Sequence, residues 1–490
     1  MRRIKIMATI GPRTNHPEAM RALVEAGVDL VRLNGAHADL TWHRQTIAML
    51  RSSVPEIPIL FDIPGRKIRI GILEQERGFA VGDQAVLTTD FSQTNAAKVP
   101  VTYANLHEDL SAGDTILGDN GRLRLTVVGI QGCDILCRVE TAGILRHGEG
   151  INMPTVVLRN ALVTDRDRQI LEFACTQAVD FVGISFVESA QHVQTIRRLI
   201  GTRRNPRIVA KIEHQQGLEH LGEILQAADA VMIDRGDLAI ETKFEDVAVV
   251  QKRILNLAAK TSCPVVVATE MLHSMTTKPQ PTQAEISDIS NAVLDGASAL
   301  MLSAETAIGA FPIEAVATMR KVADAVWDHF HADAERSRSQ AQEGIPSAMG
   351  EAVALLCQRL PITKIVSLTI SGYAARLIAA QRPRQPILAV SNDQFSARAF
   401  NLLPGTQGVY VDIPFSRTST DHIAACLEAL WRFGHLVDED LVLVTALGYP
   451  KSGNRLNLIQ THHVADLKES LQWEIPRRRE VETRQAALPS

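Results

Sequence analysis

Short apolar runs and longer amphipathic stretches take turns along the first part of the chain. Ile4–Ile10, Val28–Asn34 and Ile57–Asp62 are apolar runs of strand length, with helical spacing over Pro17–Ala26 and Leu40–Arg51 between them. Strand, helix, strand, helix, strand is the signature of a parallel sheet. From Ile70 to Thr155 the texture changes, and this stretch holds 11 of the chain's 30 glycines. Short alternating runs such as Gln84–Thr88, Arg122–Val128 and Ile135–Val139 are separated by turn signals, among them Asp119-Asn120-Gly121, a hairpin type of turn. The pattern predicts a small all-β domain inserted into an α/β one.

The α/β alternation then resumes. Val179–Phe186, Ile208–Glu213, Ala230–Asp234, Pro264–Thr269 and Ala299–Ser303 read as strands, separated by helical segments around Ala190–Ile200, Gln216–Gln226, Asp246–Lys260, Ala284–Leu294 and Ile313–His329. Three strands before the insertion and five after it give the count of a closed (β/α)8 TIM barrel, with an open doubly wound sheet as the rival. Glu335–Ser347 reads as a linker, and Ile365–Thr369, Ile387–Val390, Gly408–Val411, Leu441–Thr445 and Leu458–Val464 predict an open α/β C-terminal domain. The expected division is 1–69 and 156–335 for the barrel, 70–155 for the insertion, 348–470 for the C-terminal domain and 471–490 for a charged tail.

Composition narrows the function classes. Hydrophobic residues make up 46% and charged residues 22%, which excludes wholesale disorder. A net charge of -4 argues against a chain built to grip nucleic acid or an anionic membrane. Only 21 residues are aromatic, too few for base-stacking platforms. No apolar run approaches the ~20 residues a bilayer requires. The apolar stretch after Arg2, Arg3 and Lys5 ends at Gly11-Pro12, too short for a signal peptide. Six cysteines over this length make no disulfide framework, so a reduced cytoplasm is the expected location.

Barrel active sites sit at the C-terminal ends of the strands. The polar residues there are Thr9, Arg32 with Asn34, Asp62, Ser185, Lys211 with Glu213, Arg235 with Asp237, Thr269, and Ser303 with Glu305. Lys211 and Glu213 are two apart in one strand and share a face. Glu213 and Asp237, on adjacent strand ends, are candidate ligands for Mg2+, which takes a few carboxylates and keeps positions for water and substrate oxygens. Lys211 beside that metal is a fixed positive charge for an enolate or a phosphoryl group in flight. Arg32 and Arg69 suit a phosphate or carboxylate. The bland alternative is a Lys211–Glu213 salt bridge at a barrel rim.

Taken in order, these residues resemble the pyruvate kinase family. The likeness runs through Lys5–Gly11, Val31-Arg32-Leu33-Asn34 to His37, Asp62–Arg69, Lys211-Ile212-Glu213, Arg235-Gly236-Asp237-Leu238, Ala268-Thr269-Glu270-Met271-Leu272 and Ser303-Ala304-Glu305-Thr306. It includes Lys278–Glu285 leading to Asn291–Gly296, and Ser371-Gly372 with Arg382-Pro383 in the third domain, and covers residues 4–465. The resemblance implies phosphoryl transfer from phosphoenolpyruvate to ADP, giving pyruvate and ATP in the last step of glycolysis. It implies that Arg32 binds the substrate phosphate and that Lys211 steadies the phosphoryl group and the enolate. Glu213 and Asp237 would hold Mg2+, or Mn2+ in its place. The backbone of Gly236 and Asp237 would hold the substrate carboxylate, and Thr269 would hydrogen-bond the substrate. Asn34, His37 and Arg69 match the nucleotide side, and Ser303 with Glu305 the proton relay to the enolate carbon. The insertion would be a lid that excludes water. A homotetramer is implied, and a phosphorylated effector at the C-terminal domain, where Thr369 and Ser371-Gly372 suit phosphate or simple helix capping.

The sequence also departs from the family pattern. Glu149 stands where a Lys is usual, with Arg146 as its expected compensator; Glu270 replaces Gln, Asp234 replaces Ala, Ile63-Pro64 replaces a Thr-Lys type of pair, and Ala36 replaces Ser. Two other readings follow: a catalytically impaired paralogue acting as a ligand sensor, and a Mg2+-dependent lyase, which leaves the nucleotide-side residues unexplained. Asn34 and Asp62 are the remnant of a monovalent-cation site that has lost its Ser hydroxyl, and Lys67 falls where potassium-dependent members carry Glu. K+ is therefore expected to be dispensable, with the Lys67 ammonium as its substitute. Cys133 and Cys137 read as small hydrophobes rather than zinc ligands, and His462-His463 point to opposite faces of a strand.

Overall fold

The computed structural model describes residues 3–90, 98–154, 156–159, 161–201, 206–333, 345–416, 419–447 and 456–473. Eight parallel strands close into a barrel: Lys5–Thr9, Leu30–Asn34, Ile59–Ile63, Phe181–Ile184, Arg207–Ile212, Ala230–Asp234, Val265–Ala268 and Ala299–Leu302. Closure comes from the pairing of the first strand with the last, Lys5 opposite Ala299, and it excludes the open-sheet rival.

The barrel strands obey a period of two. Met7, Leu30, Leu60, Phe181, Val209 and Met232 point inward and fill the barrel, while Ile6, Val31, Phe61, Val182, Ile208 and Ile233 point outward under the helices. Ala399 and Leu402 of the C-terminal domain join the inward-facing cluster. Arg398 Nε donates to Asp180 Oδ1 at 3.0 Å and Lys5 Nζ to the Thr406 carbonyl at 2.7 Å, so charged groups brace this joint. The C-terminal domain thus covers one mouth of the barrel and leaves the other, where the strands end, for chemistry.

The insertion contains a five-stranded sheet around its own apolar cluster, which includes Leu87, Val99, Leu125 and Ile135. Asp119-Asn120-Gly121 does connect two antiparallel strands, Thr115–Gly118 and Leu123–Gln131, but as a 3-10 turn with all three residues at positive φ. The C-terminal sheet has five strands, of which Leu458–His463 runs antiparallel to Leu441–Ala446.

Some local expectations change. The helix expected over Gln216–Gln226 is two, Gln215–Glu219 and Leu221–Ala227, broken at His220, whose ring nitrogen meets the Glu188 carbonyl at 2.9 Å. A short helix, Arg235–Glu241, follows the sixth strand without having been anticipated. The expected linker Glu335–Ser347 overlaps a helix that begins at Ile345; its earlier part and the tail Arg477–Ser490 lie outside the described residues. Cys137 is buried and its thiol is pushed up to about 12 by desolvation, whereas Cys133 is exposed. Among the described residues, no helix is long and apolar enough to cross a membrane.

Candidate active site

The inward phase of the strands carries Arg32, Asp62, Ser185, Lys211, Glu213 and Asp234 to the open mouth. Lys211 lies at the centre, buried, with Nζ 2.7 Å from Glu213 Oε1, 3.2 Å from Asp234 Oδ2 and 3.8 Å from Asp62 Oδ2. It also donates to Ser185 Oγ at 3.1 Å. Burial alone would strip a lysine of its proton. Here Glu213, Asp62 and Asp234 outweigh burial and hold the ammonium above its ordinary pKa, so Lys211 is a permanent cation.

Arg32 Nε donates to Asp62 Oδ2 at 2.6 Å and Nη1 to Thr9 Oγ1 at 3.3 Å. Asp62 needs room: a Cβ on the neighbouring Gly183 would fall on Asp62 Oδ1. Glu213 is wholly buried. Burial, with the nearby Asp234 and Asp237 carboxylates, pushes its pKa up against the pull of Lys211. Its Oε2 accepts from the Phe186 amide at 2.6 Å, and Phe186 holds a positive φ of 54° there. Glu213, Asp234 and Asp237 can each bring one carboxylate oxygen within 4.8 Å of the others. Glu213 Oε1 is buried, and its partner is the Lys211 ammonium. Carboxylates whose oxygens converge this closely are hard donors that fit a divalent cation such as Mg2+.

Lys67 reaches this cluster from the loop after the third strand. Its ammonium contacts Asp237 Oδ1 and lies 5.4 Å from the centre of the Phe186 ring. Its side chain crosses Gly150 of the insertion so closely that a Cβ there would strike Lys67 Cε.

Thr269 and Gly236 meet on the next two strand ends. The Gly236 amide donates to Thr269 Oγ1 at 2.8 Å, and Thr269 and Glu270 have φ of 68° and 56°. Two consecutive residues other than glycine in the left-handed region store strain. Arg235 holds it: Nη2 donates to the Thr269 carbonyl at 2.7 Å while Nη1 pairs with Asp288 Oδ2 at 2.7 Å. The Glu270 side chain is exposed.

The remaining expected residues lie around the rim. His37 stands open to solvent; partial desolvation and the Arg69 and Arg32 charges hold its imidazole below its ordinary pKa. Asn34 Oδ1 accepts from the Ala36 amide at 3.1 Å, and Arg69 Nη1 donates to the Gly148 carbonyl at 2.9 Å. Glu305 accepts from the Leu272 amide at 3.0 Å and the Ser303 amide at 2.8 Å, so both of its oxygens are committed to backbone. Ser303 Oγ is buried without a hydrogen-bond partner. The Arg146 guanidinium forms its ion pairs with Glu76 and Asp119, each at 3.2 Å, and compensates Glu149 through the nearness of the charges; Glu149 accepts from the Arg146 backbone amide at 3.0 Å and closes the turn. In the C-terminal domain, Thr369 Oγ1 accepts from the Gly372 amide at 3.0 Å, a local cap.

Sequence reasoning missed two features of this mouth. Asp234 is in phase with the inward Ala230 and Met232, so the period of two already aims it at Lys211. Asn152, at the exit of the insertion, donates to Glu241 Oε1 at 2.7 Å, a pairing that no spacing rule reveals.

Comparison with known proteins bears directly on this arrangement. The family profile described as pyruvate kinase, barrel domain matches residues 1–316, and that described as pyruvate kinase, alpha/beta domain matches residues 347–462. Pyruvate kinase 2 of a Synechocystis species is 37% identical over 91% of this chain and 76% of its own length. The pyruvate kinase of Geobacillus stearothermophilus is 35% identical over 95% of this chain and 81% of its own. A crystal structure of a pyruvate kinase from Cryptosporidium parvum superposes with a TM-score of 0.83 at 28% identity, covering 94% of this chain and 96% of that one.

Proposed function

The chain belongs to the pyruvate kinase family, and on that premise we propose how its residues divide the work of moving a phosphoryl group from phosphoenolpyruvate to ADP. The reaction breaks the bond between phosphorus and the enol oxygen, forms one to the terminal phosphate of ADP, and leaves an enolate that takes a proton at carbon. Negative charge therefore passes from the phosphoryl oxygens to the enolate oxygen, and a fixed cation between them lowers the barrier. The observation that carries our reading is Lys211, a buried permanent cation 2.7 Å from Glu213.

Glu213 and Asp237 hold Mg2+, or Mn2+, in this reading. When bound, the ion polarises substrate oxygens and neutralises developing charge. Arg32 takes the substrate phosphate, trading part of its bond with Asp62. The Gly236 and Asp237 amides take the substrate carboxylate, which requires Thr269 Oγ1 to release the Gly236 amide and turn to the substrate. Asn34, His37 and Arg69 face the nucleotide. Ser303 Oγ, which has no hydrogen-bond partner, stands at the proton-delivering end, and Glu305 fixes the backbone that carries it. The insertion closes as a lid.

We further read the chain as independent of K+. Asn34 and Asp62 remain from a monovalent-cation site, and the Lys67 ammonium supplies fixed positive charge within the cluster. A homotetramer, a cytoplasmic location and a phosphorylated effector near Thr369 and Ser371-Gly372 rest on family likeness; sedimentation, cell fractionation and effector titration test them in turn. The impaired-paralogue alternative is set aside, because no observation favours it. A coupled assay for ATP from phosphoenolpyruvate and ADP with Mg2+ is the direct test, and no turnover at any substrate concentration would reject the reading.

A further inference from the structure

We infer that Asp234 is a third carboxylate ligand of the divalent-cation site, so that this chain loads its metal tightly before phosphoenolpyruvate arrives. The inference rests on the reading above that Glu213 and Asp237 hold the metal. Three observations carry it. Asp234 is 6% exposed and ends the sixth barrel strand in the inward phase of Ala230 and Met232. It occupies the N-cap position of the helix Arg235–Glu241, where an aspartate ordinarily accepts a hydrogen bond from the first turn. Its side chain makes no such capping bond and is turned into the barrel, with Oδ2 3.2 Å from Lys211 Nζ.

The third observation is the meeting of oxygens. Glu213, Asp234 and Asp237 present carboxylate oxygens within 4.8 Å of one another, with Glu213 wholly buried. A site with two carboxylates holds Mg2+ loosely and leaves much of its shell to water and substrate oxygens. A third raises the negative charge and the number of fixed donors, the two quantities that set divalent-cation affinity. Lys211 and Lys67 offset the mutual repulsion of these carboxylates. The cluster sets four acidic groups, Asp62, Glu213, Asp234 and Asp237, against three basic ones, Arg32, Lys67 and Lys211.

Mn2+ binding to the free protein, followed by electron paramagnetic resonance and water-proton relaxation without phosphoenolpyruvate, tests this. Asp234→Ala and the isosteric Asp234→Asn are compared with Asp237→Asn, with circular dichroism to confirm folding. The expected result is a Kd for Mn2+ at least about tenfold weaker in Asp234→Ala, as when a partner of a metal site is lost, with one more exchangeable water on the ion. Affinity and hydration unchanged in both Asp234 variants but affinity lost in Asp237→Asn overturns the assignment of Asp234 alone. Weakened affinity with unchanged hydration also overturns it, since Asp234 then acts only through its charge. Affinity unchanged in all three variants overturns the metal site itself, and the inference with it.

Discussion

Asn152 Nδ2 donates to Glu241 Oε1 at 2.7 Å, and this bond joins the inserted β domain to the short helix that also carries Asp237. Asn152 is buried on the way out of the insertion. Glu241 is largely shielded, and burial pushes its carboxyl up to about 7, with Asp237 adding to the shift and Asn152 and Lys67 opposing it. A carboxyl whose pKa is raised in the folded chain binds its proton more tightly there than when unfolded. Its contribution to stability is complete below the ordinary Glu value and is lost as pH rises through about 7. The melting temperature of the parent should therefore fall, between pH 5 and pH 8, by more than that of Glu241→Gln. Identical pH slopes in the two proteins would remove Glu241 from the account. Asn152→Ala should raise the KM for ADP several-fold with a smaller effect on kcat, because it loosens the placement of the insertion rather than the chemistry.

Lys211→Met should reduce phosphoryl transfer by several orders of magnitude. Its ammonium faces Glu213, Asp234 and Asp62 together. Removing one partner of a buried ion cluster leaves uncompensated charge and costs about 3–5 kcal/mol. The variant should therefore fold but melt at a lower temperature, and protonation of the unpaired buried carboxylates should narrow that gap at acid pH. Turnover within tenfold of the parent would take Lys211 out of the mechanism.

How much of this was legible in the sequence depends on the range of the interaction. The closed barrel follows from counting strand-length apolar runs, because each strand reports its own phase locally. Lys211 with Glu213 is visible for the same reason, a separation of two in one strand. Asp234 is equally legible by its phase with Met232, although family likeness marks it only as a departure, and Arg235 and Asp237 belong to the following helix. The helix Arg235–Glu241 is too short for its period to register. Asn152 with Glu241, Lys67 with Asp237 and Arg235 with the Thr269 carbonyl join residues far apart in the chain, and no local pattern encodes them.

Arg235 is predicted to act through Thr269. Its guanidinium bridges the Thr269 carbonyl and the Asp288 carboxylate, and Thr269 and Glu270 are both held at positive φ. Left-handed backbone at residues other than glycine costs on the order of 1–3 kcal/mol each and persists only where the surroundings enforce it. Arg235→Lys keeps the charge but cannot make both bonds, since a lysine presents a point charge rather than a planar fork. We expect kcat to fall about 10–100-fold with a smaller change in Mn2+ affinity, as for other losses of pre-set geometry near a reacting group. A variant that loses Mn2+ binding and kcat together would instead place Arg235 in support of Asp237.

The last prediction concerns potassium. Asn34 keeps its side-chain oxygen at the end of the second strand, but that oxygen accepts from the Ala36 amide at 3.1 Å, and Ala36 brings no hydroxyl. Asp62 shares its Oδ2 between Arg32 at 2.6 Å and Lys211 at 3.8 Å, so it is already balanced by two protein cations. Lys67 adds a third, in contact with Asp237 and passing over Gly150. A monovalent cation at this remnant site would find Asp62 already paired with Arg32 and Lys211, and an incomplete oxygen shell. Activity with Mg2+ should therefore be substantial in a buffer whose only monovalent cation is a bulky organic one, and adding K+ should change kcat by less than about twofold, within ~0.4 kcal/mol. Lys67→Glu reverses the sign of the charge beside Asp237 and should make activity rise with K+. A parent enzyme that is inactive until K+ is added would show that water completes the ion's shell despite Lys67, and Lys67 would then serve only to steady Asp237.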